Sequence, residues 1–373
     1  MTNTDFATSR RHFMGALAAT TAAFGAPATA FAAAKRRAAA TPVAPINRLL
    51  ATFADEILTL SPENATGLGL DTGKHAALRA MLDEAGMPGR DKAAAQFASM
   101  RARLDKLNTA RLTPRQQLQG DTVDYALNRA ADGARFPYGG GAGDGFQGGA
   151  TPYVLTQQNG AITSIGEFLN SQHPVKTAAD AEAYLARVAA FGRVLDQESA
   201  QIRDDAGKGV MPPAFVAKTA LGQLQEFRAV KAGDQSMVAS LASRAKAAGL
   251  KGDWATRCTK AIEAIVYPAL DRQIAAFADS TKAAPETAGV QRLPDGDAYY
   301  AYGLRLGTTT TIPADEIHRT GLAQNAEIKA KIDAILKSQG MTRGTVGERV
   351  VALNSDPRFL FPDDDAGRAQ LIA

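Results

Sequence analysis

Residues Thr177 to Ile202 read TAADAEAYLARVAAFGRVLDQESAQI, and this stretch decides the fold class. A hydroxyl at Thr177 followed three residues later by Asp180 is a helix-capping pattern, because each side chain can satisfy a backbone N–H that the first turn leaves unpaired. Behind it Tyr184, Leu185, Val188, Phe191, Leu195 and Ile202 recur at three- and four-residue spacing, which predicts one long amphipathic helix. The same pattern repeats outward in both directions. Leu49, Leu50, Phe53, Ile57 and Leu60 form an earlier stripe, with Ser61-Pro62 ending it and placed to cap a short helix. Phe97, Met100, Leu104 and Leu107 mark another. Thr113-Pro114 opens a third, carrying Leu118, Val123, Tyr125 and Leu127.

Downstream, Lys208-Gly209 and Met211-Pro212-Pro213 break the chain before a helix from Phe215 to Phe227. Ile262, Val266, Leu270, Ile274 and Phe277 follow in a row that Pro268 should kink. Pro313, with Asp315 and Glu316 in the first turn, starts a helix along Ile317, Ile328, Ile332 and Ile335 that ends at Gly340. Val346 to Leu353 and a turn at Asp356-Pro357 come next. Strand-like alternation is confined to Thr151–Leu155 and Tyr300–Leu306, and both are ambiguous with helix. The expectation is an all-α fold: one large multi-helix domain over 45–373 with little or no sheet. Asp363-Asp364-Asp365 begins a last helix that reaches only to Ala373, so the domain is expected to be truncated at its C-terminus.

The N-terminus reads as an export leader. Arg10-Arg11, Phe13, a weakly apolar Ala-rich run from Gly15 and small residues at Ala28-Thr29-Ala30 or Ala30-Phe31-Ala32 fit a cleaved twin-arginine signal over 1–32. A flexible lead-in over 33–44 follows. The predicted location is periplasmic, with the twin-arginine translocase as a partner in export. The run is too short and too poor in Leu and Ile for a stable membrane anchor, and no Cys stands near either cleavage point to take a lipid.

Without the leader, Arg10, Arg11 and Asp5 drop out of 42 basic and 38 acidic residues, leaving a chain close to neutral. No basic block beyond Lys35-Arg36-Arg37 suggests a nucleic-acid partner. A single thiol, Cys258, excludes an internal disulfide and reads as a small buried hydrophobe. The glycine cluster between Gly133 and Gly149 is a loop; it lacks the Gly-Lys-Ser/Thr ending of a phosphate-binding loop.

Chemistry is sparse among sequence neighbours. His75, His173 and His318 stand apart, and none begins a His-Glu-x-x-His pair. There is no Gly-x-Ser-x-Gly elbow. Acid pairs such as Asp204-Asp205 match solvated helix ends as well as they match a glycosidase dyad. His173 precedes Pro174, which favours a loop role over a catalytic one. His318 lies at the edge of an apolar stripe, where it can face a cleft or bond a neighbouring backbone group.

Several of these stretches together resemble the bacterial domain-of-unknown-function 885 family. They are Pro152-Tyr153-Val154, Gln172-His173-Pro174, Thr177 to Asp180 with Tyr184-Leu185-Ala186-Arg187, Gly209 to Pro213, and Tyr299-Tyr300 through Thr308-Thr309 to Glu316-Ile317-His318 with Gly321-Leu322. Ser61-Pro62 and Gly67-Leu68-Gly69 fit as well. The likeness runs from Pro45 to Ala373. It implies an exported helical protein similar to zinc metallopeptidases of the gluzincin kind, with a zinc-bound water attacking a peptide-like substrate and a Glu as general base. The signature it implies, His-Glu-x-x-Pro-Gly-His, lies C-terminal to the segment matching Glu316-Ile317-His318, so no catalytic residue and no metal ligand is carried over into this chain. Zinc is implied by the resemblance alone, and Tyr300, Arg305 and His318 are the residues expected to line a substrate cleft. A non-catalytic exported binding protein and a glycan-acting enzyme are the competing expectations.

Overall fold

Thr177 caps its helix as the sequence predicts. Its hydroxyl accepts from the Asp180 N–H while the Asp180 carboxylate accepts from the Thr177 N–H at 2.9 Å. The structure, a computed structural model, describes residues 45–108, 112–143 and 150–373. The leader with Arg10 and Arg11, the lead-in and the end of the glycine loop, 144–149, lie outside the described residues. Two units are distinguished, Met1–Arg48 and Leu49–Ala373; the description below concerns the second.

The helices in chain order are α1 (Pro45–Leu60), α2 (Pro62–Gly67), α3 (Gly86–Leu104), α4 (Pro114–Ala134), α5 (Ala161–Ser171), α6 (Ala178–Gly207), α7 (Ala214–Ala229), α8 (Ser236–Ala247) and α9 (Trp254–Ala261). After a π-turn at Ile262–Val266 come α10 (Tyr267–Ser280), α11 (Gly296–Thr308), α12 (Ala314–Ser338), α13 (Val346–Asn354) and α14 (Asp365–Ile372). No strand occurs among the described residues, and the fold is all-α. Tyr300–Leu306 lies inside α11, because Tyr299 and Tyr302, three apart, both point into an aromatic cluster with Phe136 and Tyr138. Thr151–Leu155 is irregular and pairs with no partner strand.

Helix α6 is the axle. Its 30 residues run for about 45 Å, and Tyr184, Val188, Phe191 and Leu195 are fully buried against α5, α8, α9 and α10. The expected break at Pro268 takes the form of the π-turn: Tyr267 N–H reaches back to Ile262 C=O, so the widened turn relieves the missing donor and the ring clash that Pro268 brings. Gly192 lets this bulge approach α6, since a Cβ there would sit 2.7 Å from Ile265 Cγ2. A second core joins Phe53 of α1, Phe97 and Met100 of α3 and Leu127 of α4. Cys258 is fully buried, as expected of a packed thiol.

Along α12 to α14 large apolar side chains face outward. Leu322 is 57% exposed, Ile335 63% and Val351 63%, with Phe359, Leu360 and Phe361 beside them in the sequence that follows. Among the described residues no helix is long and apolar enough to cross a membrane.

Candidate functional site

A cavity of about 650 Å³ opens between the N-terminal helices and α6. Its walls come from the end of α1 (Ile57, Leu60), from Ser61 and Glu63 on α2, from Asp83 to Arg90 leading into α3, from the glycine turn (Gly139, Gly140, Gly143), from the start of α5, and from Val194, Glu198 and Gln201 of α6. The glycines are required by geometry. Gly139 and Gly141 adopt positive φ, and a Cβ on Gly139 would meet Thr151 C=O at 2.4 Å. The volume is that of a small-molecule or short-peptide site.

Carboxylates dominate the charge on the walls. Glu198 is 5% exposed; its Oε1 accepts from the Ala161 N–H at the start of α5, 2.8 Å, and its Oε2 from Gln273 Nε2, 2.7 Å. Burial outweighs these bonds and pushes its pKa up to about 7. Glu63 and Asp83 clasp each other: Glu63 N–H donates to Asp83 Oδ1, 3.0 Å, and Asp83 N–H donates to Glu63 Oε1, 3.1 Å. Ser61 sits at the head of α2 as its position in the sequence suggests, yet its hydroxyl donates to Asp83 Oδ2 at 2.7 Å and the distant Asp83 does the capping. Burial raises both acids, Glu63 to about 7, with mutual repulsion adding to the effect on Glu63. Glu198 and Glu63, each raised to about 7, can give or take a proton near pH 7, which is the property general acid–base work needs.

The three histidines do not meet. His173 is fully buried in a polar knot around Arg187, whose guanidinium donates to His173 Nδ1 (2.7 Å), Thr66 Oγ1 (2.7 Å), Leu78 C=O (3.0 Å) and Met81 C=O (2.8 Å). Arginine only donates, so Nδ1 is the acceptor and Nε2–H gives its proton to Asp180 C=O at 2.9 Å. Burial then drives the His173 pKa down to about 4. This neutral, saturated imidazole ties α2 and its neighbours to α6, the loop role that Pro174 favours. His75 pairs with Asp55 at 2.9 Å. His318 stands exposed on α12.

Tyr300 and Arg305 lie on α11, the first exposed and the second 3.9 Å from the Asp132 carboxylate. None of Tyr300, Arg305 and His318 is on the cavity wall. The wall acids escape a search of sequence neighbours because they come from three separate segments, Glu63, Asp83-Glu84 and Glu198. Glu198 alone carries a legible signal: it stands three and four residues from Leu195, Val194 and Ile202, a carboxylate inside an apolar stripe. As for the implied zinc, no group of three or more His, Cys, Asp and Glu able to hold a metal gathers among the described residues. The residues present do not fit a zinc site, and no step is routed through one.

With this geometry in place, comparison with known proteins is decisive for kinship. Residues 62–373 match the family described as bacterial protein of unknown function, DUF885. The chain belongs to the DUF885 family. Its fold is also that of a solved structure, "the putative lipoprotein from Colwellia psychrerythraea", with a TM-score of 0.79 at 22% identity. The match covers 88% of this chain and 56% of that one, so this DUF885 chain spans a little over half the length of its solved relative. No curated protein matches it.

Proposed function

We propose that this DUF885 chain supplies the substrate cavity of an exported zinc-dependent hydrolase of the metallopeptidase kind, whose metal-binding motif lies outside these residues. The observation that carries the proposal is the cavity itself: a substrate-sized space in a helical frame, walled by Glu198 and Glu63, which burial holds near neutrality. The outward apolar rows of α12 and α13 support it, since they suit packing against further helices. Tyr300, Arg305 and His318, which lie away from this cavity, are proposed to meet substrate where that further part packs. Export through the twin-arginine route to the periplasm is proposed from Arg10 and Arg11 and agrees with the lipoprotein naming of the Colwellia relative. The lipid anchor does not transfer, because the single cysteine here is the buried Cys258.

The test begins with the gene beyond the codon for Ala373. An in-frame His-Glu-x-x-Pro-Gly-His motif, zinc in the purified complete product and chelator-sensitive cleavage of short peptides are the expected results. A stop codon at that point, or peptide cleavage indifferent to chelator, would refute the proposal and leave an exported helical binding protein as the better account.

A further inference from the structure

Among the described residues five charged side chains line the cavity, and four have firm partners. Glu63 and Asp83 hold each other's N–H groups, Glu84 accepts from Arg193 and Gln197 at 2.5 Å each, and Glu198 is held by Ala161 and Gln273. Arg90 differs. Its side chain is only 14% exposed, yet among the described residues its one ion pair is with the outward-facing Asp91, 3.8 Å from Nε and beyond hydrogen-bond reach, while the buried Asp205 carboxylate acts on it only through space and without a hydrogen bond. Its Nη1 is enclosed and unbonded, and the guanidinium makes no hydrogen bond to any described residue.

The chain nevertheless holds Arg90 in place. Its stem runs across the backbone of Gly141, where a Cβ would lie 2.7 Å from Arg90 Cγ and 2.8 Å from Cδ. Gly141 also has φ +61, so glycine is required twice over, by backbone shape and by the arginine lying on it. A guanidinium nitrogen taken out of water and left unbonded, as Nη1 is here, is destabilising unless something supplies the missing acceptor. Every acidic group on the walls among the described residues is already engaged.

We infer that Arg90 is the anchor for a carboxylate carried by the cavity's ligand. A planar carboxylate matches the guanidinium fork with two parallel bonds. A single negative charge suits a wall whose described residues carry one arginine among four carboxyls, whereas a dianionic phosphate would meet more repulsion than Arg90 offsets. The inference names a ligand class for the cavity of the proposed hydrolase, so it rests on the role given to that cavity, but it requires no metal and no turnover.

The experiment measures binding of two probes to the chain by calorimetry: N-acetyl-alanyl-alanine with a free carboxylate, and the same dipeptide as its C-terminal amide. Wild type is expected to prefer the acid by about tenfold or more, the worth of a charge-assisted pair. Arg90→Lys should keep part of that preference, and Arg90→Met should abolish it while Tm stays level or rises, because an unpaired buried charge has been removed. Equal binding of acid and amide, failure of both to bind up to their solubility limits, or an unchanged preference in Arg90→Met would overturn the assignment. So would tighter binding of inorganic phosphate than of the acid, or a steep fall in Tm for Arg90→Met, which would make the arginine a structural post. A preference for the acid without any peptide cleavage would uphold the anchor and count against the hydrolase alone.

Discussion

Two buried polar residues of α6 behave in opposite ways, and each makes a prediction. Arg187 is fully buried and wholly satisfied, so cutting it to Met leaves Thr66 Oγ1, His173 Nδ1 and the Met81 carbonyl without a donor and strips a second donor from the Leu78 carbonyl. Losing this buried, fully bonded hub costs about 3–5 kcal/mol; a large drop in Tm on Arg187→Met is expected, and a shift of a degree or two would contradict the knot's structural role. Glu198 instead carries a pKa raised to about 7, mainly by burial. A carboxyl that binds its proton more tightly when folded favours the unfolded state as pH climbs from the ordinary carboxyl range to about 7. Stability should therefore fall over that window, with Glu63 contributing in the same sense. Glu198→Gln should flatten the decline measured by thermal melts between about pH 5 and 8, and parallel curves for variant and wild type would show that the group does not titrate as described. Arg187 was visible in the sequence only as part of a family likeness, and Glu198 only as a charge in the wrong stripe. Neither burial nor partners can be read from spacing, because both are set by segments up to 125 residues away.

At the level of elements the sequence was far more legible. The capping box at Thr177 forms as its side chains predict; Thr113 opens its helix as expected and does so through a further box with Gln116, and Thr345 makes another with Glu348 at the head of α13. Helical periodicity located α1, α3, α4, α6, α10 and α12, because a stripe every three or four residues records which face is buried. It failed where tertiary contacts decide: Tyr300–Leu306 alternates like a strand, but the Tyr299–Tyr302 pair packs as a helix against Phe136. The π-turn was legible as trouble at Pro268 and illegible in form, since the room for it is made by Gly192 on another helix. Gly192→Ala drives a Cβ into Ile265, with its carbonyl oxygen also close at 3.2 Å. The expected cost is about 1–3 kcal/mol, read by denaturant unfolding; an unaffected midpoint would show that the two helices can separate freely.

Across the whole molecule, the core and the outer helices are unequal. The α6–α10 centre is densely buried, while Leu322, Ile328, Ile335 and Val351 present an apolar surface to solvent. The isolated chain should therefore bind a hydrophobic dye and self-associate, and replacing Leu322 and Ile335 by Glu should reduce both; a monodisperse chain that ignores the dye would contradict this. Zinc ligands gather nowhere among the described residues, and the hydrolase role proposed for this chain rests on the cavity between α3, α5 and α6. The most direct test of that role is to block the space without disturbing the core. Ser164 lies exposed on α5 and lines the cavity, so Ser164→Trp in the complete gene product fills it from the solvent side. Peptide turnover, measured as kcat/KM, is expected to fall by about tenfold or more with Tm nearly unchanged. Undiminished turnover with the cavity plugged would show that substrate is handled elsewhere.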